Sequence, residues 1–223
     1  MRSSNGNRPG RSDRRDLDEA AVRAAIAAER TELADMLGGL SPEQWDAPSL
    51  CVGWRVREVM AHITMAFRYS LPQVIIGIVR AGGSFHRMAD RAARRDAADL
   101  TSDELAQCLR ANVHHAWKPP GGGYIGALSH DLIHGLDITV ALGLDRRPSP
   151  ERVDMVLGSL NAKQVSYFGV DLNGVQLQAN DLDWSYGEGE PLTGRAQDLL
   201  LVVCGRKLPS GLLEGEAASR FSR

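Results

Sequence analysis

The stretch from Gly126 to Gly143, GALSHDLIHGLDITVALG, limits what this chain can fold into more than any other. Leu128, Leu132, Ile133, Leu136, Ile138, Val140 and Leu142 cover nearly the whole circumference of a helix. A helix that is apolar all round belongs inside a protein. Yet this one also carries His130, Asp131, His134 and Asp137. His130 and His134 are four apart and so lie one turn apart on one face, and Asp137 continues that stripe. Buried titratable groups need partners, because unpaired burial is costly. A bound metal is one such partner: neutral imidazole is a good ligand, and two histidines at i, i+4 can close on one ion.

The third candidate ligand is His62, on a separate long helix, since facing helices of an antiparallel bundle converge such residues in the core. Three histidines leave a coordination position open for water or substrate, as catalytic zinc sites do. Asp137 would orient His134 through its second ring nitrogen, or act as a weak fourth ligand. The competing account is plain: a single histidine such as His62 is more often a satisfied core residue than a ligand. The i, i+4 pair on an apolar helix, with Asp137 in line, is what sets metal ligation against it.

Around this centre the chain reads as helices separated by clear breaks. Residues 1–15 hold Arg2, Arg8, Arg11, Arg14 and Arg15 without periodicity, and are expected to be a disordered basic tail. Asp16 to Leu37 is the first long helix, ended by Gly38-Gly39. Ser41-Pro42-Glu43-Gln44 is a capping box opening one short turn, and Asp46 to Gly53 is a loop. Trp54 to Arg68 is the second long helix. Pro72 interrupts, and Gln73 to Arg80 resumes as a helical or connecting segment. Phe85 to Ala98 is basic and amphipathic, a solvated face with an anionic ligand as the minority reading. Thr101-Ser102-Asp103-Glu104 caps a helix to about Trp117, and Pro119-Pro120-Gly121-Gly122-Gly123 is a hard break. Ser149-Pro150-Glu151 caps another helix to about Phe168.

The period then changes. Val175 to Ala179 alternates as a strand, Asn180-Asp181 turns, and Leu182 to Tyr186 is a second strand. Arg195 to Lys207 returns to a helical pattern. The expected fold is therefore mainly α: a helical bundle over residues 16–168 followed by a small α+β appendage over 169–223, with a two- or three-stranded sheet.

Composition excludes several functions. Charged residues make up 24% with a net charge of −2, so no global basic field recruits nucleic acid. No apolar run approaches the roughly 18 residues of a spanning helix, and no secretory core follows Met1. A cytoplasmic protein with neither nucleic-acid nor membrane partner is expected. Cys51, Cys108 and Cys204 are odd in number and far apart, which suggests reduced thiols.

Several motifs resemble one family. Trp54-Arg55-Val56-Arg57-Glu58-Val59-Met60-Ala61-His62, with its lead-in from Leu40 to Gly53, resembles a segment of the DinB-like superfamily. More narrowly it resembles the mycothiol-dependent maleylpyruvate isomerase family. His134-Gly135-Leu136-Asp137-Ile138 resembles that family's histidine-bearing helix, while Asp181 to Gly187 and Gly205-Arg206 resemble its C-terminal module. The likeness spans most of residues 17 to 207. It implies a DinB-like four-helix bundle holding a divalent metal, usually zinc, on His62, His130 and His134. It also implies mycothiol as co-substrate. The family's isomerase is similar but has Glu where this chain has His130. Three neutral histidines leave a divalent site with formal charge +2 in place of +1, a stronger Lewis acid that favours a thiolate.

The function expected on this basis is a metal-dependent enzyme using a small-molecule thiol, mycothiol, for S-transfer or thiol-assisted isomerisation of an electrophile. Asp137 and Arg206 are the candidate catalytic residues, Asp137 orienting a ligand and Arg206 contacting an anionic group. A homodimer is left open. The alternative is a non-catalytic metal-binding regulatory or interaction protein of the same fold.

Overall fold

The computed structural model describes residues 19–223; the tail expected over residues 1–15 lies outside them. Eleven helices and four short strands occur among the described residues. The bundle is built from α1 (Glu19–Leu37), α3 (Val56–Arg68), α6 (Ser102–Ala111) and α7 (Gly123–Thr139), with α5 (Phe85–Asp99) packed along α3. Short α2 (Pro42–Trp45) opens at the Ser41 capping box: Ser41 Oγ accepts from the Gln44 amide, and Gln44 Oε1 accepts from the Ser41 amide. The Thr101–Glu104 box opens α6 in the same way. Capping of this kind contributes about 1 kcal/mol per helix end.

Helix α7 is the buried centre. Leu128, Leu132, Leu136 and Ile138 are fully buried, each stabilising the fold by about 1.5–3 kcal/mol. It starts at Gly123, inside the expected glycine break, because Pro119 packs against Gly122 and Gly126 where a Cβ would clash. Helix α6 stops at Ala111, well short of Trp117. The reason is Arg30 on α1, fully buried, whose Nη1 donates to the carbonyls of Asn112 and His115 and draws that chain out of helical geometry. Segment 71–80 is fully helical (α4, Leu71–Arg80). The expected helix from Pro150 to Phe168 is two helices, α8 (Pro150–Ser159) and α9 (Ala162–Phe168), because Asn161 caps a new helix through Gln164.

The C-terminal part forms one four-stranded sheet of order β2-β1-β3-β4, built from β1 (Val175–Ala179), β2 (Ser185–Gly187), β3 (Glu190–Gly194) and β4 (Leu213–Glu214). Strands β3 and β4 leave no alternation in the sequence, so the sheet exceeds the expected two or three strands. β1 and β2 pair antiparallel across the expected turn, whereas β1 and β3 run parallel. Helix α10 (Ala196–Val203) packs on the sheet and on α7, so one apolar cluster runs continuously from α1 through α7 into β1, β3 and α10. Short α11 (Ala218–Phe221) closes the chain. No helix among the described residues is long and apolar enough to cross a membrane.

Candidate metal centre

His130 and His134 project from one face of α7, and His62 meets them from α3. Helix α3 is started by Glu58, whose Oε2 accepts from the Arg55 amide at 2.7 Å, which places His62 one turn further along. The three rings pack with centroids 4.9 to 5.1 Å apart. One ligating atom of each lies within 4.8 Å of those of the other two.

The ring nitrogens are not equivalent. His130 Nδ1 lies 3.0 Å from Asp131 Oδ1, and His134 Nδ1 lies 3.0 Å from Asp137 Oδ2. A carboxylate accepts, so the network assigns the proton of each neutral ring to Nδ1 and leaves Nε2 with its lone pair facing the shared space. His130 Nε2 and His62 Nε2 are 3.3 Å apart. Two ligands on a tetrahedral zinc with bonds of about 2.0–2.1 Å stand about 3.4 Å apart. The donor set and its spacing therefore fit a divalent ion. His62 Nδ1 is buried without a partner, so nothing fixes that ring from behind. Burial pushes His62 well below the usual histidine range, with His134 and His130 adding to the effect. Burial also lowers His134, against the opposing pull of Asp137. Both are neutral near pH 7, the form that ligates.

Behind the two α7 histidines stand two arginines. Asp131 is gripped by Arg30, Nε to Oδ2 at 2.6 Å, with both side chains essentially inaccessible. Asp137 is gripped by Arg206, whose Nε donates to Oδ1 and Nη2 to Oδ2, each at 2.9 Å. Arg206 reaches this point through local backbone chemistry. Gly205, at φ +75°, follows α10 in the left-handed region and lets the Arg206 amide bond back to the Leu201 carbonyl. Burial pushes the Asp137 carboxyl upward, but the His134 hydrogen bond and Arg206 outweigh it and hold it well below the carboxylate range. Asp131 is held low in the same way by His130 and Arg30 against its burial.

Cys51, read in the sequence only as a reduced thiol, is part of this arrangement. Its Sγ donates to Asp137 Oδ2 at 3.0 Å and lies 3.7 Å from His134 Nδ1. The 46–55 loop is fixed there by the Leu50 amide, which donates to the Asp137 carbonyl at 3.0 Å. Burial, followed by the negative Asp137, raises the thiol well above its ordinary range, so it is protonated. Cys51, His134 and Asp137 form a second group whose ligating atoms lie within 4.8 Å of one another. Since His134 Nδ1 and Asp137 already satisfy each other, the three-histidine group is the one with free lone pairs. Asp131, Arg30 and Cys51 were missed in the sequence. Only Asp131, next to His130 on a buried helix, had a readable signal there.

The histidines face a cavity of about 1050 Å³ that extends between the bundle and the C-terminal part. Trp54, Phe85, Ile133 and Phe168 supply apolar wall, while Lys163, Gln164 and Arg206 supply polar groups.

A DinB-like helical bundle with three histidines converging at the floor of a cavity is the class that fold and site define together. Residues 26–118 match the family described as "Mycothiol maleylpyruvate isomerase N-terminal domain". That span includes His62 and ends before His130. Two solved structures share the fold, the mycothiol-dependent maleylpyruvate isomerase and a mutant of it. Their TM-scores are 0.54 and 0.55 at 15% and 14% identity, covering 92% of this chain and 95% of theirs. No curated protein matches. The resemblance to that isomerase family is thus shown by the domain match over residues 26–118, and the common fold extends over most of the chain.

Proposed function

We propose that this chain is a metal-dependent enzyme that uses a low-molecular-weight thiol, mycothiol, to act on a small electrophile by S-transfer or thiol-assisted isomerisation. The observation that carries the reading is the convergence of His62, His130 and His134, two of them with lone pairs fixed by carboxylates, in a chain with the mycothiol-isomerase domain match. Residues 16–168 would form the metal-binding bundle and residues 169–223 the module that contributes Arg206.

His62, His130 and His134 would hold a divalent ion, zinc in the first instance, which when bound supplies Lewis acidity that keeps a thiol ionised near pH 7. The chain's own residues do the rest. Asp131 and Asp137 hold the His130 and His134 rings in the ligating tautomer. Arg30 and Arg206 hold those carboxylates in place and keep them ionised. Arg206 spends its Nε and Nη2 on Asp137 and gives an Nη1 proton to the Cys204 carbonyl, so its role here is to brace Asp137. The apolar wall excludes water from the reacting sulfur and carbon. Lys163 and Gln164 offer hydrogen bonds to a sugar-bearing thiol. The thiolate sulfur then bonds to the electrophilic carbon, whose displaced electron pair is taken up by the leaving group or an adjacent oxygen. The all-neutral set of His62, His130 and His134 favours transfer over isomerisation, because such a set binds a thiolate more strongly than one holding a carboxylate.

Mycothiol added to Co(II)-loaded protein should produce a cobalt–thiolate charge-transfer band that is absent in His62→Ala. The band's pH midpoint should fall below the free-thiol value of about 8.5. No band would leave a non-catalytic metal-binding protein as the reading, and an equal response to any simple thiol would remove mycothiol from it.

A further inference from the structure

The hairpin of α4 and α5 carries a surface whose chemistry the metal centre does not use. Helix α4 reads LPQVIIGIVR, and none of its residues is buried. Leu71 and Val79 are each 71% exposed, Ile75 is 52% and Ile76 is 50%. Positions 71, 75 and 79 are successive turns of one face, with Ile76 beside them, so these side chains form one apolar ridge. Single exposed apolar residues are ordinary, but a contiguous ridge marks a contact surface.

Beside the ridge, between α4 and α5, runs a groove of about 600 Å³. Its floor is apolar, with Met88 and Ala92, and Gly77 allows the close approach since a Cβ there would meet Met88 Cγ at 2.8 Å. Its rim carries Arg80, Arg91 and Arg95. Between Leu71 and Arg95 the charged residues are Arg80, Arg87, Arg91, Arg94 and Arg95 against Asp90 alone. Asp90 is already engaged by Trp54 and Arg94. Arg87 and Arg91 donate to the backbone carbonyls of Ala81, Gly82 and Arg80, and among the described residues neither they nor Arg80 pair with a carboxylate.

We propose that this hairpin docks on an anionic lipid surface, with Leu71, Ile75, Ile76 and Val79 entering the headgroup–acyl boundary and Arg80, Arg87 and Arg91 meeting lipid phosphates. An apolar helix face edged by arginines is the pattern of helices that lie in a membrane interface. The charge decides the occupant. Helix α4 has no acidic residue, so a second copy seated across a two-fold axis would bring the same unpaired arginines to one interface with no carboxylate on α4 to receive them. An anionic surface accepts all three, each strengthening partitioning by about fivefold. Association is peripheral, as no helix among the described residues can span. The opposite side of α5 lines the histidine cavity through Phe85, His86 and Ala89, so the docking surface adjoins the metal centre without sharing its residues.

The test is co-sedimentation of the full chain with vesicles of phosphatidylcholine alone, or of equal parts phosphatidylcholine and phosphatidylglycerol. The protein should sediment with the mixed vesicles, remain in solution with the neutral ones, and be released by salt. Ile75→Glu, at a half-exposed position, should leave melting unchanged and abolish sedimentation. Arg80→Glu and Arg91→Glu should each weaken it by at least about fivefold. His134→Ala should sediment like the parent chain, which separates this proposal from the metal reading. Equal binding to both vesicles, or none to the mixed ones, would overturn it. So would a dimer in light scattering that Ile75→Glu converts to monomer without any vesicle binding, since a second copy would then cover the ridge.

Discussion

Helices α7 and α3 bring imidazoles to the same point but equip them differently. On α7 each histidine is backed by a carboxylate and each carboxylate by an arginine: His130–Asp131–Arg30 and His134–Asp137–Arg206. On α3, His62 stands alone, its Nδ1 buried without an acceptor. The two chains on α7 draw on distant sequence, with Arg30 from α1 and Arg206 from beyond α10. Helix α7 is thus preorganised by the rest of the fold, and under the proposed metal reading His62 would complete the ligand set at a local cost. That cost is the desolvation of an unpaired nitrogen, about 1–3 kcal/mol. A buried polar atom left unsatisfied at such a place is what a ligating role would explain.

The contrast can be broken by substitution. The largest effect is expected from His134→Ala or His62→Ala: metal content measured on untagged protein should fall from about one ion per chain to none. The metal-free proteins should then diverge. His62→Leu removes an orphan nitrogen and should raise metal-free stability by about 1 kcal/mol in denaturant titration. If His62→Leu instead destabilises as much as a change on α7, the two helices are not differently equipped.

Next comes the carboxylate layer. Asp137→Asn and Asp131→Asn should each weaken metal binding by about 10–100-fold in competition titrations while leaving all three histidines in place. Asp137→Ala should in addition destabilise the metal-free protein by about 3 kcal/mol, because Arg206 would be left partly buried without its partner. The wild-type contribution of Asp137 is present above the unfolded carboxyl value of 3.8 and is lost as pH falls through its depressed folded value.

The smallest effect sharpens the same contrast outside the site. Asp198, in the first turn of α10, is buried with Oδ1 unpartnered. Burial pushes it up from 3.8 to about 6. Here the native state binds the proton more tightly than the unfolded chain. Stability from this group is therefore highest below 3.8 and declines as pH rises through about 6. Asp198→Asn should raise stability by about 1–2 kcal/mol at pH 8, a few degrees in Tm, and by nothing at pH 4. An equal gain at both pH values would show that the carboxyl is not the cause.

Much of this architecture was legible in the sequence, and the exceptions have physical reasons. The His130–His134 pair showed because helical spacing puts both on one face of a run too apolar to be exposed. His62 could be named because facing helices of a bundle converge such residues in the core, and the Trp54–His62 motif also resembles a known segment. Arg30 could not, since it acts over a hundred residues away from Asp131 and looks like one more charge on an amphipathic helix. Cys51 sits on a loop, where no periodicity predicts direction, and it is aimed by the Leu50–Asp137 backbone bond together with the turn bonds to Ser49 and Trp54. Strand β3 holds Pro191 and two-residue β4 is too short to alternate, so neither leaves a period-two trace. The membrane expectation rested on the absence of a long apolar run. That absence bears on spanning alone, and α4 is so short that the sequence reads there as a helical or connecting segment with no sign of its exposed face.

X-ray absorption of zinc-loaded protein in the absence of added thiol reads the ligand set itself. Three imidazole nitrogens at about 2.0–2.1 Å, with light oxygen scatterers completing the shell, is the predicted result. A sulfur at about 2.3 Å would contradict it, because it would place the ion on Cys51 with His134 and Asp137 and leave His62 and His130 without the role assigned to them.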